Sequence, residues 1–298
     1  MARDPYIDNY IKNQFRKNAT PYQVQACFKA RIRTKYARAD VRFTDGSKKD
    51  NLVGAGIYGK SIIESHKLPN ICSVFTAEAA AIFRAVTETS STPILVVTDS
   101  ASALEAIKSP TNKHPFIQSI QRTLDEPGRD ITFMWVPGHC GIVGNEEADL
   151  LADRGRQSRL LTPKTPADDV RMWVKKLIWD TWSHCWLRDR TSFTRKIKSI
   201  VERWEDLPSR RDQVVLSRLR TGHTRLSHNM AGRGEFRISC DTCSVHNSVE
   251  HFIVNCPTLE QLRTKHGITC IQTALSQDKI KQTALLSFLK EAKLYDTI

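Results

Sequence analysis

Between residues 41 and 136 the spacing of apolar positions changes repeatedly, and each change marks an element. Val41, Phe43 and Asp45 alternate with Arg42 and Thr44, the two-residue period of a half-buried strand. Gly46–Asp50 reads as a turn, Gly54–Tyr58 as a second short strand and Ser61–Lys67 as a third, so two hairpins open the stretch. Residues 76–88 are Ala-rich, with Ala80, Phe83 and Val86 at helical spacing. Ile94–Thr98 is a continuous apolar run suited to a strand buried on both faces. Ser100 is placed to cap a helix running to Ile107, Pro115–Leu124 reads as another helix, and Ile131–Val136 as a fifth strand. A last helix opens at Gly144-Asn145, with Asn145 as N-cap and Glu146 and Glu147 in the first turn, where the helix dipole favours acids. The order β-β-β-α-β-α-α-β-α predicts an α/β fold, a mixed five-stranded sheet flanked by helices.

The flanking patterns differ. Residues 1–40 read as a basic leader, helical or loosely structured. Thr162–Pro166 reads as a linker. Trp179, Trp182 and Trp186 fall on one helical stripe, which predicts a buried core face rather than a base-stacking one. Val214–Leu216 and Leu219 give the Arg-rich stretch that follows an apolar face, and Thr283–Leu294 reads as a short amphipathic helix. The expected divisions are a leader (1–40), an α/β domain (41–156), a basic Trp/Arg-rich helical region (157–238) and a terminal module (239–298). No run approaches the ~20 apolar residues of a membrane span. The first 30 residues lack the apolar core of a secretory signal, and eight cysteines in 298 residues are too sparse for a disulfide scaffold. The expectation is an intracellular, reduced chain, with nucleus and cytoplasm both open.

Charge adds a contrast that hydropathy does not show. The formal net charge is +13, from 45 basic and 32 acidic residues. Residues 1–40 carry nine basic and three acidic groups, residues 41–153 ten and fourteen, residues 154–238 twenty and nine, and residues 239–298 six and six. Basic arms suit a polyanion, because Lys and Arg displace condensed counterions from phosphates. The acidic block between them suits carboxylates that bind metal.

Four acids stand out in that block. Asp45 continues the apolar face of Val41 and Phe43, where a carboxylate is costly to bury unless it binds something. Asp99 ends the apolar strand, at the carboxyl edge where α/β sheets place ligands. Parallel pairing of these two strands would set the two carboxylates side by side. Glu78 lies in the first helix and Asp149 in the last. Converging acids repel unless cations hold them, and hard oxygen donors suit Mg²⁺ or Mn²⁺. Two such ions can clamp the attacking and leaving oxygens of a phosphodiester. Pro137-Gly138-His139-Cys140-Gly141-Ile142-Val143-Gly144 makes a Gly-rich loop able to bring an imidazole near a phosphate.

Phe43-Thr44-Asp45-Gly46-Ser47, Thr76-Ala77-Glu78, Thr98-Asp99-Ser100 and the segment from Pro137 to Asp149 resemble the signatures of type 1 ribonuclease H, over roughly residues 40–156. The resemblance implies the ribonuclease H fold, with Asp45, Glu78, Asp99 and Asp149 as ligands of two Mg²⁺ (or Mn²⁺) ions and His139 assisting. It implies cleavage of the RNA strand of RNA–DNA hybrids by in-line attack of water, leaving 3′-hydroxyl and 5′-phosphate ends. Integrases of similar fold use three acids ending in a Glu, and Asp149 within the Pro-Gly-His segment does not fit them. A non-catalytic nucleic-acid-binding remnant is the alternative.

Further along, Cys240-x₂-Cys243-x₇-His251-x₄-Cys256 carries three thiolates and an imidazole at a spacing that suits a closed, structural Zn²⁺ site, with His246 as a competing ligand. Arg211–Thr224 followed by this cluster resembles the region after ribonuclease H in LINE-type (non-LTR) retrotransposon polyproteins. That resemblance implies an element-derived protein acting in reverse transcription. In that family a reverse transcriptase precedes the region. Residues 1–40 are too few for one and hold no catalytic Asp-Asp pair, so the expectation is a truncated copy, a separate gene or an excised segment, with a reverse transcriptase as possible partner. Oligomeric state and sequence preference stay open.

Overall fold

The structure is a computed structural model and describes residues 5–15, 20–162, 164–205, 207–229 and 236–298. Parts of the expected leader (1–4 and 16–19), Pro163 of the expected linker and residues 230–235 of the Arg-rich stretch lie outside the described residues. The chain divides into two compact units, Met1–Lys175 and Lys176–Ile298.

The first unit begins with β1 (Tyr6–Asp8), α1 (Tyr10–Gln14) and α2 (Pro21–Lys35). Then come the antiparallel strands β2 (Asp40–Lys49), β3 (Leu52–Gly59) and β4 (Ile63–Leu68), and the helix α3 (Val74–Thr87). β5 (Ile94–Thr98), α4 (Ala101–Lys108), α5 (Pro115–Asp125), β6 (Ile131–Trp135) and α6 (Val143–Gly155) follow. The mixed α/β architecture is the expected one, with one strand more. The sheet order is β1-β6-β5-β2-β3-β4, and β1 runs parallel to β6.

That sixth strand comes from the expected leader, which is therefore part of the α/β unit. Asp8 anchors it. Its carboxylate accepts from Arg31 (2.9 Å), from the Tyr36 hydroxyl (2.5 Å) and from the Tyr10 backbone N–H (2.9 Å). These donors hold Asp8 below the usual carboxylate range against the opposing effect of its burial. α2 starts at Thr20, whose side chain caps Gln23 N–H while Gln23 returns the bond. Its Val24 and Phe28 enter a core with Phe43, Val97, Met134 and Ile142.

Other local readings shift for physical reasons. β2 runs on through Gly46 to Lys49, and the turn falls at Asp50-Asn51, both at positive φ (50° and 62°). Asp and Asn are the side chains that tolerate that conformation in a two-residue hairpin. β2 is covered on both faces, not one. Arg42 is fully buried because Asp40 pairs with it at 2.7 Å and the carbonyls of Ala85 and Glu88 accept its remaining donors. Ser100 caps α4 as expected. Asn145 does not cap α6, which begins at Val143 with Ile142 before it, so Asn145 lies inside the helix and is buried.

α6 ends at Gly155, at the bound expected for the α/β domain, but the compact unit runs on past it. Leu160 bridges to Lys67, Leu161 packs on the α/β core, and Asp169 accepts from the Thr76 hydroxyl at 2.6 Å. Residues 157–175 thus belong to the first unit. α7 (Ala167–Arg188) crosses into the second, which adds α8 (Phe193–Ile197), α9 (Arg210–Thr221), the ribbon β7 (His228–Asn229) and β8 (Phe236–Arg237), a π-type turn His251–Asn255 and a 3₁₀ turn Pro257–Leu259. α10 (Glu260–His266), α11 (Ile271–Ala274) and α12 (Lys279–Glu291) complete it. Val215, Leu216 and Leu219 of α9 share one core with Val249, Phe252, Leu285 and Phe288, so the division expected at residue 238 falls inside a single packed body. The Trp stripe of α7 is not core: Trp179 is 47% exposed and Trp182 53%. No helix among the described residues is long and apolar enough to cross a membrane.

Candidate active site and candidate metal centre

Parallel pairing of β2 with β5 sets Thr44 opposite Thr98, so Asp45, within β2, and Asp99, just past the carboxyl end of β5, follow as neighbours where the pairing ends. Glu78 reaches the same place because α3 lies almost on β2. A Cβ built on Gly46 would stand 2.5 Å from Glu78 N, so only glycine permits that approach. Asp45, Glu78 and Asp99 each present a carboxylate oxygen within 4.8 Å of the others. Asp149, His139 and Glu146 form a second such group, also within 4.8 Å. The two groups adjoin, because the Asp149 carboxyl is close enough to be among the neighbours that raise Asp45. The four acids singled out in the sequence thus converge.

Their electrostatics reflect that crowding. Burial, then the charge of Asp99 and the neighbouring Asp149 carboxyl, push Asp45 up to about 7. Burial, followed by the charges of Asp45 and Asp99, raises Glu78 well above the ordinary range. Asp99 is raised by burial, opposed by the Asn145 amide donating at 3.4 Å. Glu78 Oε2 is buried with no hydrogen-bond partner, although buried carboxylate oxygens are normally satisfied. An unpartnered acceptor among three acids fits a divalent cation, whose charge would return all of them to the ionised form.

The loop bearing His139 is held from three sides. His139 and Gly141 have positive φ (52° and 71°), which turns the chain sharply and leaves the imidazole exposed. Glu146 accepts from Gly141 N–H at 3.0 Å. Gln25 of α2 donates to the Cys140 carbonyl at 2.9 Å. Trp135 Nε1–H donates to the Asp99 carbonyl at 3.0 Å, fixing the end of β5. Glu146, Asn145, Gln25 and Trp135 were given no place in the site from the sequence. Glu146 carries a carboxylate one turn before Asp149, which is a legible signal. Asn145 was read as a cap, and only burial reveals it as the partner of Asp99. Gln25 lies 115 residues from its acceptor, and nothing local marks it.

In the second unit, Cys240, Cys243, His251 and Cys256 bring their ligand atoms within 4.8 Å of one another. The Cys243 and Cys256 sulfurs are 4.0 Å apart, near the ~3.8 Å that tetrahedral coordination at ~2.3 Å imposes. His251 Nε2 is buried without a partner. Backbone N–H groups of Cys243 and Thr242, with His251, lower Cys240 to about 6, which favours the thiolate that binds metal. Burial and the neighbouring sulfurs push Cys243 up to about 11. His246, the competing ligand, instead sets its Nδ1 3.2 Å from the Ile238 carbonyl. The donor set fits zinc.

Comparison with known proteins places the family signal on the first unit. The RNase H family matches residues 38–157, so this stretch is an RNase H domain. A curated relative, Ribonuclease H1 of Rattus norvegicus, is 30% identical over 143 residues, covering 39% of this chain and 49% of its own length. The chain thus spans about half of that relative. β1, α1 and all of α2 lie outside the matched stretch.

Proposed function

We propose that the first unit is a metal-dependent endoribonuclease that cleaves the RNA strand of RNA–DNA hybrids. The observation that carries this reading is the convergence of Asp45, Glu78, Asp99 and Asp149 on one edge of the RNase H domain, with a buried Glu78 oxygen left for a cation. Asp45, Glu78 and Asp99 would hold one Mg²⁺ or Mn²⁺, and Asp45 with Asp149 a second. Bound there, the ions supply an activated water and neutralise charge on the scissile phosphate.

The protein's own residues do the rest. Asn145 orients the Asp99 carboxylate, and Trp135 holds the backbone beneath it. His139, exposed on its tight loop, is placed to carry a proton to the departing 3′-oxygen. Discrimination of the RNA strand would come from its 2′-hydroxyls, which DNA lacks. The Cys-Cys-His-Cys cluster supports structural zinc in the second unit. Together with Arg211–Thr224 it supports an origin in a LINE-type retrotransposon, and hence a place beside a reverse transcriptase inside the cell.

The test is a hybrid-cleavage assay on the purified chain in Mg²⁺ and in Mn²⁺. Wild type is expected to cut the RNA strand internally, leaving 3′-hydroxyl and 5′-phosphate ends, and to spare the same RNA unpaired. Asp45→Asn should leave the hybrid intact. Hybrid binding without turnover in both metals would overturn the nuclease reading and leave a nucleic-acid-binding remnant.

A further inference from the structure

The tryptophans of the second unit are not used by the proposed cleavage chemistry, and their arrangement is specific. Four of the six, Trp179, Trp182, Trp186 and Trp204, line one cavity of about 560 Å³, within the range that encloses small organic ligands. Two of them are fixed. Trp186 Nε1–H donates to the Lys198 carbonyl at 3.2 Å. Trp204 lies against the Arg220 guanidinium (3.8 Å to the ring centre), and buried Arg220 is itself held by the carbonyls of Leu275 and Ser276. The other two stand open. Trp179 and Trp182 meet edge to face, with centres 5.8 Å apart, and each leaves about half its surface in water.

Cations border these rings. Lys198 Nζ sits 4.5 Å from the Trp204 ring centre, largely covered, and pairs with the exposed carboxylate of Glu202 at 3.2 Å. Arg203 lines the same cavity. Residues 176–204 carry seven basic and three acidic groups.

We propose that this cavity is a binding site for unpaired nucleotides of a single-stranded nucleic acid, with Trp179 and Trp182 stacking on bases and the surrounding Lys and Arg following the phosphates. Aromatic rings set among cations are how proteins hold single strands without reading sequence. A duplex is a poor occupant, because its bases already stack on one another and expose few π-faces. The lining itself sets Lys198 and Arg203 against Glu202, and the net charge of +4 over residues 176–204 is what favours a polyanion over an apolar peptide. The site is separate from the carboxylates of the first unit and does not depend on the cleavage reading. A single-stranded region next to a hybrid is nevertheless the kind of nucleic acid on which both would act.

The experiment is binding of a fluorescein-labelled single-stranded DNA of about 12 nucleotides to the full chain, read by anisotropy and by quenching of tryptophan emission. DNA is the probe because unpaired DNA is not a substrate of the proposed cleavage. Trp182→Ala and Trp179→Ala are each expected to weaken binding roughly 5- to 150-fold, the equivalent of ~1–3 kcal/mol per stacked base. Trp182→Phe should keep most of the affinity, since a phenyl ring still stacks. Both positions are exposed, so zinc content and far-UV circular dichroism should match wild type. Unchanged affinity in both alanine variants overturns the proposal. So does a dimer in light scattering that Trp182→Ala dissociates while DNA binding persists, which would assign the face to a second copy of the chain.

Discussion

Asp45 links the chemistry of the site to the stability of the fold. Its carboxyl is raised to about 7 in the folded chain, well above the ordinary carboxylate range. A raised carboxylate favours the folded state while it is protonated. Its contribution is therefore complete below about pH 4 and is lost as pH rises through 7. Without divalent ions the protein is expected to lose on the order of 4 kcal/mol from this group over that window. Thermal melts from pH 5 to 8 should show a falling midpoint, and millimolar Mg²⁺ should restore it at the upper end. A flat profile would contradict the crowding described here. Asp45→Asn removes one buried charge and should make the melt profile shallower, Glu78 and Asp99 remaining raised by burial, while abolishing cleavage. A loss above ~100-fold is expected, since outer-shell contacts alone are worth 10–100-fold at metal sites. Gly46 is the companion case. Gly46→Ala places a methyl group against the backbone of α3 and should cost ~1–3 kcal/mol, or displace Glu78, as read by the melting midpoint and by Mg²⁺ affinity.

At the scale of elements, α2 carries the least expected part of the site. It docks through Val24 and Phe28 and reaches the His139 loop with one amide. Gln25→Ala should lower kcat by about 2- to 10-fold, the worth of one hydrogen bond, and leave KM for a hybrid nearly unchanged. A rise in KM alone would assign Gln25 to substrate binding instead. Parallel pairing was legible at this scale. An acid ending one apolar strand and an acid continuing the face of another marked Asp45 and Asp99 as neighbours on the condition of parallel pairing, and the structure supplies that pairing. The leader was not legible. Its three-residue strand is too short for any period, and its pairing with β6 spans more than 120 residues. The exposed Trp stripe misled for a related reason: helical spacing says that rings share a face, not that anything covers it.

For the whole molecule, the Cys-Cys-His-Cys cluster is where a bound metal would be coupled to folding in the second unit. Purified protein should carry about one zinc per chain by elemental analysis. Cys256→Ser should reduce that content and lower the melting midpoint of the transition that tracks the second unit, because a structural site contributes its binding energy to folding. Full zinc occupancy in that variant would remove Cys256 from the ligand set.

Composition and local spacing were sufficient for chemistry carried by residue type: four acids on predicted strands and helices, a Cys-Cys-His-Cys spacing, and basic segments on either side of an acidic one. Periodicity was sufficient for most of the α/β order as well, since backbone hydrogen bonding and one-sided burial act over a few residues. Contacts between distant segments needed the folded chain. The bond from Gln25 to the Cys140 carbonyl, the turning of Asn145 toward Asp99, the capture of β1 by the sheet and the sharing of one core across residue 238 all depend on where remote surfaces meet. Packing between segments sets those meetings, and a linear pattern records only which surfaces are available to meet.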